Sequence, residues 1–297
     1  MGRLSLQGDR RAEEAGWPHR ELHIDPSVAH DARVHDYLLG GADNFAVDRA
    51  AAQAHGQAMG GIEQWRHAAW ANRQFLSRAI RYLAAEAGVR QFLDLGAGIP
   101  TAHSVHELAQ SVAPTARVVY VDHDPVSLAH AHELPAGAPD ASTSWVWRDL
   151  RDPDSVLDEA ACTLDFGQPV AVLLVSVLHL VPDEDDPYGV VRRYLDALCA
   201  GSYMVLSHLA SDLEPDSVAA LVRSSDHGDD IGYRFHPRGR GQASAFFDQL
   251  DLVEPGVVPV ERWNPRGLTV RCLPTDRSEA PFHAGVGRKP APSARPD

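Results

Sequence analysis

Cysteine is scarce in this sequence of 297 residues, and long apolar runs are absent. The three cysteines lie far apart and form no Cys-x-x-Cys pair, which argues against a disulfide framework and against a thiolate metal site. No apolar stretch approaches the roughly 20 residues that a membrane span needs, and the first residues contain no apolar run of signal-peptide length. We therefore expect a cytoplasmic protein without a membrane partner.

Basic residues are also fewer than acidic ones. The sequence has 27 Lys+Arg against 41 Asp+Glu, and its formal net charge is −14. Such a surface repels phosphate backbones and lacks the attraction that supplies most non-specific affinity for nucleic acid. Nucleic acid is therefore not expected as a partner, whereas a hydrophobic content of 44% is that of a globular protein with a full core.

Composition and periodicity divide the chain into four parts. Residues 1–20 and 275–297 are rich in charge, Pro, Gly and Ser and lack periodicity, so both are predicted to be mobile tails. Residues 21–88 are predicted to form a helical extension, because apolar residues recur at helical spacing until Gly88. Residues 89–274 alternate Val- and Leu-rich runs with helical segments, which is typical of a parallel sheet covered on both faces.

This order predicts a Rossmann-like, doubly wound α/β fold with a mostly parallel sheet of seven strands. The last two predicted strands, 252–258 and 268–273, have no helix between them. Two strands joined without a crossover run antiparallel. The sheet is therefore expected to end in an antiparallel strand.

The strongest local motif is Asp94–Gly98 (DLGAG), where an acidic residue ends a strand and a glycine-rich turn leads into a helix. Glycines at this place let a ligand approach the backbone closely. A dinucleotide-binding motif would have Gly or Ala three residues after Gly98, where this sequence has Thr101. The carboxylate of Asp94 would repel a pyrophosphate but attract a cationic amine, such as that of S-adenosylmethionine.

Further acids follow the next two predicted strands. Asp122 is placed to bind ribose hydroxyls, with Asp124 as the alternative two residues on. Asp149 is placed to accept a hydrogen bond from an adenine amino group. Each acid could instead cap a neighbouring helix or turn. Because the carboxyl ends of parallel strands meet at one edge of a sheet, these acids and the glycines are predicted to line a single crevice.

The order of these motifs resembles Rossmann-like S-adenosylmethionine-dependent methyltransferases over residues 88–273. A closer resemblance, to an actinobacterial family of predicted S-adenosylmethionine methyltransferases that was long a domain of unknown function, is carried by DARVHDYLLGGADNFAVDRAAA, RQFLDLGAGIPT, ARVVYVDHDPVSLAHA and VLLVSVLHLVPDEDDP. It implies S-adenosylmethionine as the cofactor and a small-molecule methyl acceptor, whose identity stays open. The predicted cofactor contacts are Asp94, Gly96, Ala97, Gly98, Asp122, His123, Asp149, Leu150 and Ser176.

The resemblance to methyltransferases also suggests a catalytic residue. In methyltransferases the segment after the fourth strand faces the methyl group, and here that segment contains His179. His179 is predicted to be the general base for a hydroxyl acceptor, since an imidazole titrates near neutral pH. It could equally cap the strand end and pack beneath the N-terminal helices.

The segment 33–45 mixes polar, aromatic and paired-glycine residues. A plain helix-to-helix turn would explain the two glycines. We predict instead a lid over the cofactor mouth. Tyr37, Asn44 and Phe45 are expected to contact cofactor or substrate, and Arg33 is expected to reach the carboxylate of the cofactor.

The sixteen histidines form no H-E-x-x-H motif and no His-Cys set, so no metal is predicted. The leading hypothesis is a methyltransferase that acts on a small molecule, with O-methylation of a secondary metabolite as its specific form. One alternative is a non-catalytic sensor of S-adenosylmethionine or S-adenosylhomocysteine. Another is a nicotinamide-dependent oxidoreductase.

Overall fold

The computed structural model describes residues 24–100, 104–127, 143–226, 230–265 and 279–291. Their strands are β1 (Gln91–Leu95), β2 (Arg117–Asp122), β3 (Thr143–Trp147), β4 (Ala171–Val175), β5 (Tyr203–Leu209), β6 (Asp251–Leu252), β7 (Val258–Pro259) and β8 (Phe282–Arg288). Their α-helices are α1 (Asp31–Leu39), α2 (Ala46–Ala58), α3 (Ile62–Ala85), α4 (Val105–Val112), α5 (Pro153–Ala160), α6 (Pro187–Ala197), α7 (Pro215–Asp226) and α8 (Arg240–Ala245).

These strands form one sheet in the order β3-β2-β1-β4-β5-β8-β6, and β7 also pairs with β8. Strands β1 to β5 are parallel to one another, whereas β8 runs antiparallel to β5, β6 and β7. The predicted doubly wound fold with an antiparallel end is confirmed, although the described residues form eight strands where seven were predicted. The segment predicted as one strand over 252–258 is two short strands, and the strand predicted over 268–273 lies outside the described residues.

Each central strand is buried on both faces. Side chains of one face, including Phe92 and Leu173, pack in one core with α3 and α4. Side chains of the other face, including Leu93 and Leu174, pack in a second core with α5 and α6. Burial of both faces explains why these strands are almost continuously apolar.

The N-terminal helices share the first of these cores. α3 has 24 residues and packs on the sheet through Phe75 and Leu83. Its buried Arg78 donates hydrogen bonds to the carbonyls of Val260 (2.8 Å) and Trp263 (2.9 Å), which fastens the helix to the chain after β7. Among the described helices, none is both long enough and apolar enough to cross a membrane.

The prediction of a mobile tail over residues 275–297 is wrong for residues 282–288, while the tail predicted over residues 1–20 lies outside the described residues. Residues 282–288 form β8, which pairs with β5 along seven residues, Tyr203–Leu209 opposite Phe282–Arg288. Phe282 and Val286 enter the first core. The segment therefore contributes both backbone pairing and core side chains.

The glycines of β8 explain why the sequence did not predict this strand. A Cβ on Gly287 would lie 2.8 Å from Cδ1 of Phe247 and 2.9 Å from Cβ of Leu250. The same ring would lie 3.1 Å from a Cβ on Gly285. Glycine lowers strand propensity, but here it lets the Phe247 ring pack directly on the backbone of β8.

Removal of β8 is expected to prevent stable folding. A chain truncated after Glu279 loses the strand that joins β5 to β6 and β7, and it exposes the apolar edge of β5. We expect this variant to be insoluble or to lack a cooperative thermal transition by circular dichroism. A chain truncated after Ala291 keeps all of β8 and serves as the control. Equal melting temperatures for the two truncations would contradict this account.

Candidate functional site

A cavity of about 680 Å³ lies at the carboxyl edge of the parallel strands. The loops after β1, β2, β3 and β4 form one side, and α1 with residues 231–234 and His236 forms the other. All the predicted cofactor contacts line this cavity, namely Asp94, Gly96, Ala97, Gly98, Asp122, His123, Asp149, Leu150 and Ser176. The strand order thus brings together residues that are far apart in the sequence.

The two glycines after β1 have different roles. Both have positive φ, 74° for Gly96 and 67° for Gly98, which favours glycine at each position. A Cβ on Gly96 would overlap the side chain of Val177 in the loop after β4. A Cβ on Gly98 would meet no atom within 4 Å. Gly96 therefore allows two loops to pack together, whereas Gly98 leaves open space where a ligand can approach the backbone.

Asp122 holds the loops after β1 and β2 together. Its Oδ2 accepts a hydrogen bond from the backbone N–H of Gly98 (2.7 Å), and its Oδ1 accepts one from that of Asp124 (2.8 Å). Burial raises its pKa, and these two N–H groups oppose that shift. Each carboxylate oxygen retains a lone pair for a further donor such as a ribose hydroxyl.

Asp124 has a different environment. Its Oδ2 lies 2.7 Å from Nδ1 of His30, and its side chain does not contribute to the cavity wall. Although burial opposes ionisation, contacts with His30 and Arg33 leave the pKa of Asp124 below its ordinary value. The geometry therefore favours Asp122 over Asp124 as the acid for a ribose.

Asp94 lies at the base of the cavity with 7% of its surface exposed. Burial raises its pKa to about 7, the positive charge of Arg73 lowers it, and the negative charge of Asp122 raises it further. At neutral pH the carboxyl is therefore poised between its two forms. A cationic group of a ligand would complete its ionisation.

Asp149 stabilises a turn and also lines the cavity. Its carboxylate accepts hydrogen bonds from Nη2 (2.6 Å) and Nε (3.0 Å) of Arg151, and from the backbone N–H of the same residue (2.8 Å). These contacts shape the turn before α5. The side chain also lines the cavity, so it can still accept a hydrogen bond there.

His179 does not reach this cavity, and its predicted role as base loses its geometric support. The chain leaves β4 through Ser176 at φ 60°, and His179 then lies 2% exposed against Phe235 and Phe282. Burial lowers its pKa well below the ordinary value, as do the nearby positive charges. His179 instead lines a separate cavity of about 20 Å³ beneath α1, as its alternative packing role requires.

The four predicted lid contacts, Arg33, Tyr37, Asn44 and Phe45, also lie away from the cavity wall. Arg33 donates to the carbonyl of Val28 (2.7 Å), and its guanidinium lies 5.1 Å from the ring centroid of Phe45. The Tyr37 ring lies beneath the guanidinium of Arg66. Arg33 and Tyr37 therefore fasten α1 to its neighbours.

The turn after α1 explains the remaining residues of the lid motif. The carboxylate of Asp36 accepts hydrogen bonds from the backbone N–H of Asp43 (2.9 Å) and from Nδ2 of Asn44 (2.8 Å). A Cβ on Gly41 would collide with this carboxylate, and Gly40 ends the helix at φ 89°. The alternative of a helix-to-helix turn therefore accounts for this run.

Sequence reasoning missed the cavity residues of α1, α3 and the segment before α8. They include His30, Asp31, His35, Leu39, Asn72, Arg73, Tyr233, Arg234 and His236. One signal was available in the sequence: Asp31, His35 and Leu39 recur every four residues and so share a helix face.

A metal centre is not evident in the part of the chain that the structure describes. It contains no group of three or more His, Cys, Asp or Glu side chains placed to hold a metal ion.

Comparison with known proteins gives a consistent result. The family model described as S-adenosyl methyltransferase matches residues 18–290. A DUF574 family protein from Streptomyces avermitilis is 40% identical with a TM-score of 0.83, over 90% of this chain and 100% of that chain. A candidate methyltransferase from Thermobifida fusca is 39% identical with a TM-score of 0.79, over 93% of this chain and 99% of that chain. Among curated proteins, none matches the chain significantly.

The different roles of the two glycines predict different effects of the same substitution. Alanine at either position costs about 1–2 kcal/mol for its positive φ. Gly98→Ala should fold and lose S-adenosylhomocysteine affinity by about tenfold or more, because the new methyl group occupies ligand space. Gly96→Ala should lose about 1–3 kcal/mol more stability, because it overlaps Val177. Calorimetry and urea denaturation measure the two effects, and unchanged affinity in Gly98→Ala would refute the assignment.

The raised pKa of Asp94 predicts that cofactor affinity depends on pH. Below about pH 7 the carboxyl is mostly protonated, and an incoming ammonium must displace that proton. Affinity for S-adenosylhomocysteine should therefore rise about tenfold per pH unit up to about pH 7 and then level off. Asp94→Asn should bind more weakly and without this pH dependence.

The same pKa shift predicts the sign of a stability effect. The folded protein holds the Asp94 proton more tightly than the unfolded chain, so the contribution of Asp94 to the free energy of unfolding falls as pH rises from 3.8 to about 7. Asp94→Asn should therefore gain stability relative to the wild type over this interval. Urea denaturation at several pH values measures the difference, and a constant difference would contradict the burial of an ionisable Asp94.

Proposed function

The chain belongs to the S-adenosyl methyltransferase family, and from this premise we propose that it transfers the methyl group of S-adenosylmethionine to a small molecule held in the same cavity. One observation carries the proposal. Residues from the loops after four different strands, selected from sequence as cofactor contacts, line one cavity of about 680 Å³. This volume falls within the range of about 300–1,000 Å³ typical of small-molecule sites.

The residues of the cavity fit the groups of this cofactor. The free lone pairs of Asp122 suit ribose hydroxyls, and Asp149 suits an adenine amino group. The carboxyl of Asp94 suits the ammonium group of the cofactor. The guanidinium of Arg73 supplies a positive charge for the carboxylate of the cofactor. This role for Arg73 replaces the one expected of Arg33, which is occupied by backbone carbonyls.

When bound, S-adenosylmethionine supplies a methyl group on a positively charged sulfur that is already a good leaving group. The chain therefore has mainly to position the acceptor and exclude water. α1 covers the cavity and is fastened at its start by the pair of His30 and Asp124. Such an enclosed site suits a small molecule.

The expectation of O-methylation rested on His179 as a base. With this side chain buried outside the cavity, a hydroxyl acceptor loses that support. The acceptor class must be inferred from the side chains that do line the cavity.

Ligand binding and methyl transfer together test the proposal. Calorimetry should show binding of S-adenosylmethionine and S-adenosylhomocysteine but not of NAD, because the carboxylate of Asp94 near the end of β1 would repel a pyrophosphate. Asp122→Ala should weaken binding by about 1–3 kcal/mol, and Asp124→Ala should weaken it less. Isotope from labelled S-adenosylmethionine should enter a small molecule of a cell extract.

The outcomes separate the hypotheses. Binding without any methyl incorporation would favour the sensor. Binding of NAD in place of S-adenosylmethionine would favour the oxidoreductase. A larger loss in Asp124→Ala than in Asp122→Ala would move the ribose contact to Asp124.

A further inference from the structure

Helix α1, which covers the cavity, has polar side chains that are not among the proposed cofactor contacts. Asp31 and His35 lie one helical turn apart on α1, and both line the large cavity and the small cavity behind it. Neither side chain forms a hydrogen bond with another of the described residues. Both side chains are partly exposed, so a molecule bound in the cavity can reach their polar atoms.

The position of Asp31 favours the acceptor end of the cavity. The predicted ribose and adenine contacts follow β2 and β3, whereas β4 adjoins β1 on the opposite side from β2. Asp31 lines the small cavity together with Ser176, the first residue after β4. Asp31 therefore extends to the β4 side of the cavity, although the charge of Asp122 still acts on it.

The charges near Asp31 compensate its carboxylate only in part. His30 lowers the pKa of Asp31 but is itself paired with Asp124. Arg73 interacts with Asp94, and Nε of Arg234 lies 3.6 Å from Asp226.

Burial lowers the pKa of His35 to about 4, with a further contribution from Arg73, so this imidazole is neutral at pH 7. An anionic acceptor would be repelled by Asp31, whereas a cationic one would be attracted.

Tyr233, which also lines the cavity, cannot supply a proton there. The hydroxyl of Ser224 donates to the carbonyl of Leu221 (2.7 Å), so it accepts from Nδ1–H of His55 (2.8 Å). Burial lowers the pKa of His55 to about 4, so its Nε2 is an acceptor and receives the hydroxyl proton of Tyr233 (2.8 Å). Neither Asp31 in its charged form nor Tyr233 therefore offers a donor, and both suit a ligand that brings its own.

We propose that the methyl acceptor is an amine, which Asp31 holds as its ammonium form and deprotonates. This inference rests on the proposed function. The nitrogen gives its proton to the carboxylate of Asp31, and its lone pair then forms the N–C bond with the methyl group. The C–S bond breaks with its electrons passing to sulfur, which becomes the neutral thioether of S-adenosylhomocysteine.

The acidity of the partners supports an amine over a hydroxyl. Burial raises the pKa of Asp31 to about 6, with His30 lowering it and Asp122 raising it. An alkylammonium has a pKa of about 10, as in lysine, so proton transfer to this carboxylate is only moderately unfavourable. An aliphatic hydroxyl is far less acidic, and a carboxylate acceptor would place a second negative charge beside Asp31. A phenol is about as acidic as an alkylammonium, but its neutral form lacks the positive charge that the carboxylate attracts.

A set of probes with matched shapes tests the proposal by binding. Benzylamine, benzyl alcohol and benzoate are titrated into the protein saturated with S-adenosylhomocysteine. Benzylamine should bind about tenfold or more tightly than benzyl alcohol, and benzoate should bind least. Asp31→Asn should abolish the preference for benzylamine while the affinity for S-adenosylhomocysteine stays within about twofold.

Glu184→Gln is the matched control. Glu184 is an exposed carboxylate that also lines the cavity, so this change alters the net charge equally. The preference for benzylamine should persist in this variant. Loss of the preference in both variants would indicate general electrostatics and would overturn the assignment to Asp31.

Other results would also overturn the inference. Equal binding of benzylamine and benzyl alcohol by the wild type would exclude an ammonium site. Weaker S-adenosylhomocysteine binding in Asp31→Asn would assign Asp31 to the cofactor. A labelled methyl group found on oxygen or carbon of the extract product would refute an amine acceptor while leaving the methyltransferase intact. Failure of the wild type to bind S-adenosylhomocysteine would instead refute the proposed function.

Discussion

The site depends on a chain of hydrogen bonds centred on Asp122. Its two carboxylate oxygens accept the backbone N–H groups of Gly98 and Asp124, which fixes the loops after β1 and β2 relative to each other. Asp124 then pairs with His30 at the start of α1. Although burial opposes the charged form of His30, the contact with Asp124 leaves the pKa of this imidazole raised. A continuous polar path thus joins the ligand-facing glycine loop to the helix that covers it.

The parallel part of the fold could be predicted because its strands are buried on both faces. A continuous apolar run as short as Ala171–Val175, set between helical segments, indicates a central strand of a covered sheet. The antiparallel end was also predicted, but the position of its longest strand was not. β8 contains Gly285 and Gly287, which local propensity assigns to a loop, and they are required by contacts with Phe247 and Leu250 from elsewhere in the chain. Tertiary packing decides the structure of that segment.

The same distinction applies to the site. Asp94, Asp122 and Asp149 were found from sequence because a residue at the end of a parallel strand has a known edge of the sheet to occupy. His179 lies beyond the turn that begins at Ser176, where the end of the strand no longer determines the direction of a side chain, and it is buried in the core. The sequence of α1 shows that this helix carries polar side chains, but it does not show which face of the helix lines the cavity. In α1, Asp31 and His35 line the cavity, whereas Arg33 and Tyr37 contact neighbouring parts of the chain.

The contact between Gly96 and Val177 limits how such a site can diverge. The two residues lie in loops after adjacent strands, and the space that a side chain at position 96 would need is filled by Val177. A larger residue at position 96 is therefore compatible with the fold only when position 177 becomes smaller. Changes to the acceptor pocket in the loop after β4 therefore depend on which residue the glycine loop has at position 96. A change on the cavity face of α1 needs no such compensation at position 96, because the three atoms nearest to a Cβ on Gly96 all belong to Val177.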